Sequence, residues 1–221
     1  MSKFGVSFVA AISLVLTTTV IVAQPVSVGV KGGVAVNDQH FEYGSQTFQL
    51  DVDRAIGLNF SLQIERKISP FVSVRIDAGW IQKGFKETIN LVDESANPIG
   101  TKDAGARINY ASFALLLKRA LPSSTYFVAG PRVDIKLSVS DDELDLLPQV
   151  VEEGLKSTVF GLTVGVGQEF SVPALGALFV EVQYLRDLTD LYSRGPIAET
   201  KVGTLLSIDN QAITFLVGLR R

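Results

Sequence analysis

Residues 54–66, RAIGLNFSLQIER, alternate without a break. Ile56, Leu58, Phe60, Leu62 and Ile64 form one row, and Ala55, Gly57, Asn59, Ser61, Gln63 and Glu65 form the other. Successive side chains of a strand point to opposite sides of the pleat, so this period marks a β-strand with one apolar and one polar face. In a soluble sheet the apolar row covers a protein core and the polar row meets water. In a membrane barrel the apolar row meets lipid and the polar row fills the lumen. One strand does not choose between the two.

The same alternation recurs along the chain. Strands are expected at about 26–36, 54–66, 71–85, 106–119, 124–138, 157–171, 177–190 and 210–220. The connections after the second, fourth and sixth are short: Lys67-Ile68-Ser69-Pro70, Ala120-Leu121-Pro122-Ser123 and Val172-Pro173-Ala174-Leu175-Gly176. Those after the first, third, fifth and seventh are long, spanning residues 37–53, 86–105, 139–156 and 191–209. Such alternation belongs to an up-and-down barrel with tight periplasmic turns and long external loops, and each strand is long enough for the ~9 to 11 residues that cross a bilayer at a tilt. The expected fold is therefore all-β, an eight-stranded antiparallel up-and-down transmembrane β-barrel with both termini on the periplasmic side.

The polar rows assign the faces. They are rich in Gly, Ala, Ser and Thr with isolated charges, which suits a crowded lumen, while a basic residue in the lipid-facing row costs ~2 to 4 kcal/mol at mid-depth. Aromatic residues gather at strand ends, Phe127 and Phe170 toward the periplasmic rim and Trp80, Phe160 and Tyr184 toward the outer one. Only the fourth strand, with Leu115-Leu116-Leu117, blurs the phase. A soluble lipocalin-like binder is the alternative, and it requires an apolar interior and a charged exterior.

The start of the chain fits export. Met1 to Lys3 are basic, Phe4 to Val22 carry no charge, and Ala23 precedes Gln24-Pro25. This is the layout of a signal peptide over 1–23, leaving 24–221 as the barrel domain. A retained helix is the other reading of these uncharged residues, although Thr17-Thr18-Thr19 dilutes their apolar character. Without Lys3 the chain carries 19 basic against 23 acidic groups, and nothing in it points to nucleic acid. The absence of cysteine excludes disulfides, a lipoprotein anchor and thiol or Cys-zinc chemistry.

NYASFALLLKR (109–119), YFVAGPRVDIKL (126–137), FGLTVGVGQEF (160–170) and LFVEVQYLRDLTDLY (178–192) resemble the PorT-like family of outer-membrane β-barrel domains. Ala129-Gly130-Pro131, the glycine-spaced run ending at Glu169-Phe170, and Glu181-x-x-Tyr184 carry the likeness. The resemblance implies a small barrel in the outer membrane of a Gram-negative bacterium, and some such relatives serve protein secretion. The chain departs from it at Ala114, where Pro is common, at Ser112, where an acidic residue is usual, and at Leu219-Arg220-Arg221, where an aromatic last residue is usual.

By parity, the charges expected in the lumen are Lys31, Arg75, Lys118, Arg132 and Lys136 against Glu65, Asp77, Asp134, Glu169 and Glu181. Five of each sign read as a salt-bridge network, because charges taken out of water need partners. No pair stands apart as a catalytic couple, and Glu65 is expected to pair with Arg75 or Lys31. The only histidine, His40, falls in the first long loop near Asp38 and Ser45. A lipid-modifying enzyme centred on it is one reading, but a triad is recognised by geometry and not by closeness in sequence. The external loops sum to a charge near −11, and Ser140-Asp141-Asp142-Glu143 has the form of a helix start. The chain is thus expected to be a non-enzymatic, monomeric outer-membrane barrel without cofactor or metal. Its expected partners are outer-membrane lipids, lipopolysaccharide, and secretion or surface partners reached through the loops.

Overall fold

Each strand pairs antiparallel with the next in sequence, and the last pairs with the first. This closed barrel is seen in a computed structural model that describes residues 26–43, 53–92, 98–142, 155–191 and 205–221. Its strands are β1 (Val26–Tyr43), β2 (Asp53–Lys67), β3 (Val72–Val92), β4 (Pro98–Ala120), β5 (Thr125–Asp142), β6 (Thr158–Val172), β7 (Gly176–Asp187) and β8 (Leu205–Arg220). The expected export signal lies outside the described residues, which contain no helix.

The register gives the barrel its slant. From Asp38 of β1 the cross-strand row runs through Gln211, Arg186 and Leu162 to Pro131. From Val28 of β1 a row runs the other way through Ile64 and Ile76 to Leu115. The two rows meet between β4 and β5, where Ala114 faces Arg132 and Leu117 faces Ala129. One circuit therefore climbs ten residues along β1, which for eight strands corresponds to a tilt of ~35 to 45°.

All four long connections are shorter between strand ends than the alternation of apolar residues suggests. β3 and β4 stay paired from Lys86 opposite Gly105 up to Val92 opposite Pro98, leaving 93–97 between them. β1 and β8 likewise pair beyond Asp38 and Gln211 as far as Tyr43. Ladder hydrogen bonds need no lipid, so strands continue after the outward row turns polar. Ser140–Asp142 belong to β5 for the same reason and do not start a helix, while 143–154 lie outside the described residues. The tight connections are residues 68–71, 121–124 and 173–175, and Ser124 and Ala174 adopt positive φ of 61° and 71° to close two of them.

The outer surface carries a belt of bare apolar side chains, among them Ile56 at 66%, Leu62 at 60% and Val217 at 55% exposure. A continuous apolar surface of this extent is rare on soluble proteins and expected of a barrel in a bilayer, and the belt is the lipid-facing wall. It is bounded above by Asp38, Arg54, Gln82, Asn109, Arg186 and Gln211, and below by Arg66 and Arg119. Phe60 and Trp80 stack on this wall with ring centroids 6.1 Å apart. The interior is polar and charged over much of its depth, the reverse of a lipocalin.

Large rings also fill the lumen. Leu116, Tyr126, Val128 and Phe179 pack together in the periplasmic half, so the middle leucine of Leu115-Leu116-Leu117 points inward and the phase of β4 is regular. A Cβ on Gly167 would lie 2.3 Å from the Tyr126 hydroxyl oxygen, and one on Gly218 would lie 2.2 Å from the Phe179 ring. These glycines make room for rings lying across a narrow bore. A second apolar cluster, including Ile81, Phe85, Ile108, Tyr110 and Leu185, is joined by Leu155 and Leu191 from the outer loops and occupies the outer half.

Placing a charge on the wall tests this assignment. Leu62→Arg is expected to lower barrel stability by ~2 to 4 kcal/mol in urea unfolding from lipid vesicles, whereas Arg54→Leu at the belt's upper margin should change it by less than about 1 kcal/mol. Equal effects at both positions would contradict the assignment.

Candidate functional site: the lumenal charge network

The buried charges form three groups, one above another. Nearest the periplasm, Glu65 of β2, Lys118 of β4, Glu169 of β6 and Arg220 of β8 meet. Lys118 Nζ lies 3.1 Å from Glu65 Oε2 and also pairs with Glu169. Arg220 pairs with Glu65 and, at 2.9 Å, with Glu169, while Ser73 donates to Glu65 at 2.7 Å.

The middle group comes from β1, β3 and β7. Arg75 grips Glu181 with two guanidinium nitrogens at 2.7 and 2.9 Å. Lys31 bridges Glu181 at 2.9 Å and Asp77 at 2.7 Å, and Gln183 donates to Glu181 at 2.7 Å. The outer group comes from β3, β5 and β7. Lys83 Nζ lies 2.7 Å from Asp134 and 2.9 Å from Asp187, Arg132 pairs with Asp187, and Asn210 donates to Asp187 at 3.0 Å.

Each group holds two cations and two anions, so each is neutral. Each also draws its charges from alternate strands, because in a slanted barrel the inward-pointing residues at one level come from every second strand. Charged side chains in so dry a space depend on such pairing, since an uncompensated buried ion carries a desolvation penalty of several kcal/mol. Lys118 Nζ also sits 4.3 Å from the centre of the Tyr126 ring and Lys83 Nζ 5.1 Å from that of Tyr110, placing both cations over aromatic faces.

Nine of the ten residues assigned to the lumen by parity enter these groups. Lys136 does not, and donates instead to the backbone carbonyl of Leu155 at 3.1 Å. Parity reading passed over Lys83, Asp187 and Arg220, although each continues the inward row of its strand: Asp77, Gly79, Ile81, Lys83 on β3; Glu181, Gln183, Leu185, Asp187 on β7; Thr214, Leu216, Gly218, Arg220 on β8. Apolar Ile81, Leu185 and Leu216 interrupt those rows and hide the charge beyond. The partners expected for Glu65 are corrected as well. Arg75 faces Glu65 in the register, yet its side chain leans into the middle group, and Lys31 lies there too.

Between the middle and outer groups lies a cavity of about 30 Å³, lined by Lys31, Ser61, Asp77, Arg132 and Thr163 among others. It has room for a water molecule or two and none for a solute. His40 stands outside the lumen, exposed on β1 opposite Asp209. The Asp38 carboxylate accepts from Gln211 at 3.2 Å and lies 3.7 Å from Arg54, and among the described residues no hydrogen bond joins it to His40. Ser45 lies outside the described residues. Among those described, no group of three His, Asp or Glu is placed to hold a metal.

Residues 22–193 match the outer membrane protein beta-barrel domain family. The chain belongs to that family. The solved structures it is similar to are of low identity. Outer membrane protein AlkL in lipid bilayers is 13% identical with a TM-score of 0.49, over 93% of this chain and 94% of that one. Ail, the attachment invasion locus protein of Yersinia pestis, is 11% identical with a TM-score of 0.41, over 89% and 99%. OprG of Pseudomonas aeruginosa is 12% identical with a TM-score of 0.40, over 90% and 97%. None of the curated proteins matches the sequence.

Removing one member of a group leaves its partner charged and buried. Arg75→Met is expected to lower stability by ~3 to 5 kcal/mol in urea unfolding from vesicles. Combining it with Glu181→Met should restore much of that loss, because Lys31 and Asp77 then remain as a neutral pair. Additive losses in the double variant would contradict the pairing.

Proposed function

We propose that this outer-membrane barrel is a non-catalytic element that seals and stiffens the membrane and presents acidic external loops to partners outside. The observation that carries the reading is the closed lumen: three neutral ion groups and two apolar clusters fill it, and the cavity between two of the groups holds about 30 Å³. The buried carboxylates are engaged with cations in the same group, which leaves them poor candidates for acid–base chemistry. In this reading an export signal is removed after Ala23 and the mature barrel acts as a monomer without a cofactor. A loop charge near −11 suits docking of a basic partner, or of lipopolysaccharide bridged by divalent cations.

A second reading follows from the PorT-like motifs at 109–119, 126–137, 160–170 and 178–192, which favour an accessory role in protein secretion. It predicts that secretion components co-purify with the full-length protein extracted in mild detergent, and none should on the first reading.

Reconstitution into planar bilayers tests the closed lumen that both readings share. The protein is expected to give no steady unit conductance in molar potassium chloride. A stable open channel from the folded barrel would contradict the sealing role.

A further inference from the structure

The periplasmic margin of the lipid-facing wall is chemically lopsided. Outward-facing arginines stand on alternate strands, with Arg66 on β2, Arg119 on β4 and Arg221 directly after β8. Between them lie Val26 and Val28 of β1 and Val72 and Val74 of β3. Arg66 faces Val26 on one side and Val74 on the other, Arg119 faces Val72, and Arg221 exchanges backbone hydrogen bonds of 2.8 and 2.9 Å with Val28. At the same margin β5, β6 and β7 carry Phe127, Phe170 and Leu178, and no outward charge among the described residues.

The arginines, with exposed Lys67 beside Arg66, form no ion pair with a described residue. The nearest acids, Glu65 and Glu169, are turned into the lumen and held there by Lys118 and Arg220. The described part of this margin thus exposes basic side chains without acidic ones, in contrast to the acidic outer loops. The valines between the arginines continue the apolar belt upward through Ile64, Ile76 and Leu117, and exposed Ile68 and Phe71 extend it into the first turn.

We propose that this margin binds anionic phospholipid of the inner leaflet, with the lipid phosphodiester held between Arg66 and Arg119 and an acyl chain lying over Val72 and Val74. Two strand spacings and the two-residue offset between Val74 and Val72 separate the arginine backbones by about 12 Å, a gap that two long side chains close onto one phosphate. Guanidinium groups suit this role because their planar fork meets phosphate oxygens two at a time. Arg66 and Arg221 frame a second slot over Val26 and Val28. The margin continues the lipid-facing wall and lies where the inner-leaflet headgroups begin, so a lipid fits it better than a soluble partner does. The inference rests on the membrane placement and is independent of what the loops bind.

Native mass spectrometry of the full-length protein tests it, with dioleoylphosphatidylglycerol and dioleoylphosphatidylcholine offered in equal amounts. Phosphatidylglycerol adducts are expected to survive detergent release in preference to phosphatidylcholine. Arg66→Gln with Arg119→Gln should cut that preference on the order of tenfold, while Arg66→Lys with Arg119→Lys should keep part of it. Unchanged heat-modifiable migration on gels would show that the variants are folded. Equal retention of both lipids by the wild type, or an undiminished preference in the Gln variant, would overturn the proposal. Capture of an acidic periplasmic protein through Arg66 and Arg119 without any lipid preference would overturn it in favour of a protein partner.

Discussion

Among the described residues twelve paired charged side chains share a bore enclosed by eight strands and lipid, and all but the partly exposed Glu169 and Arg220 are shut off from bulk water. That constraint shapes the interior. Glu65, Glu169, Lys118 and Arg220 come from the even-numbered strands; Lys31, Arg75, Asp77 and Glu181 come from odd ones, as do Lys83, Arg132, Asp134 and Asp187. Each set links strands that are not neighbours in the sheet, so the groups brace the barrel across its lumen where backbone ladders brace it only around the circumference. Tyr110 and Tyr126 fill the space beside two of the lysines, and Gly167 and Gly218 yield the room that large rings need.

Arg220 has a further place in this scheme. It carries the periplasmic group onto β8, the strand that closes the barrel against β1, and the backbone of Arg221 continues that closure by bonding Val28.

Much of the architecture was legible in the sequence because side chains alternate strictly along a strand wherever no bulge interrupts it. Once RAIGLNFSLQIER is a strand, Glu65 and Ile64 must lie on opposite faces, and the same logic placed Lys31, Arg75 and Arg132 inside. Two things were not legible. Strand ends were read where the apolar row stops, but pairing persists beyond it, which is why Glu87 and Ser140 are in strands and not loops. Partner choice was not legible either, since it depends on the ten-residue slant and on how far a side chain leans. Glu65 faces Arg75 in the register yet is neutralised by Lys118 and Arg220. Lys83 and Asp187 had the right parity but sit beyond Ile81 and Leu185, where a row that has turned apolar gives no sign of the charges that follow.

The two rims then differ in kind. The outer rim carries an excess of acid, and the described exposed charges of the periplasmic margin are arginine and lysine, while the interior is neutral level by level. The central claim is that interior pairing, and the most direct measurement is solid-state NMR of the protein in lipid bilayers, reading lysine ¹⁵Nζ to carboxylate ¹³C contacts. The account predicts contacts of Lys83 with Asp134 and Asp187, of Lys31 with Asp77 and Glu181, and of Lys118 with Glu65 and Glu169. Lysine signals with the mobility of solvated side chains and without carboxylate contacts would contradict it.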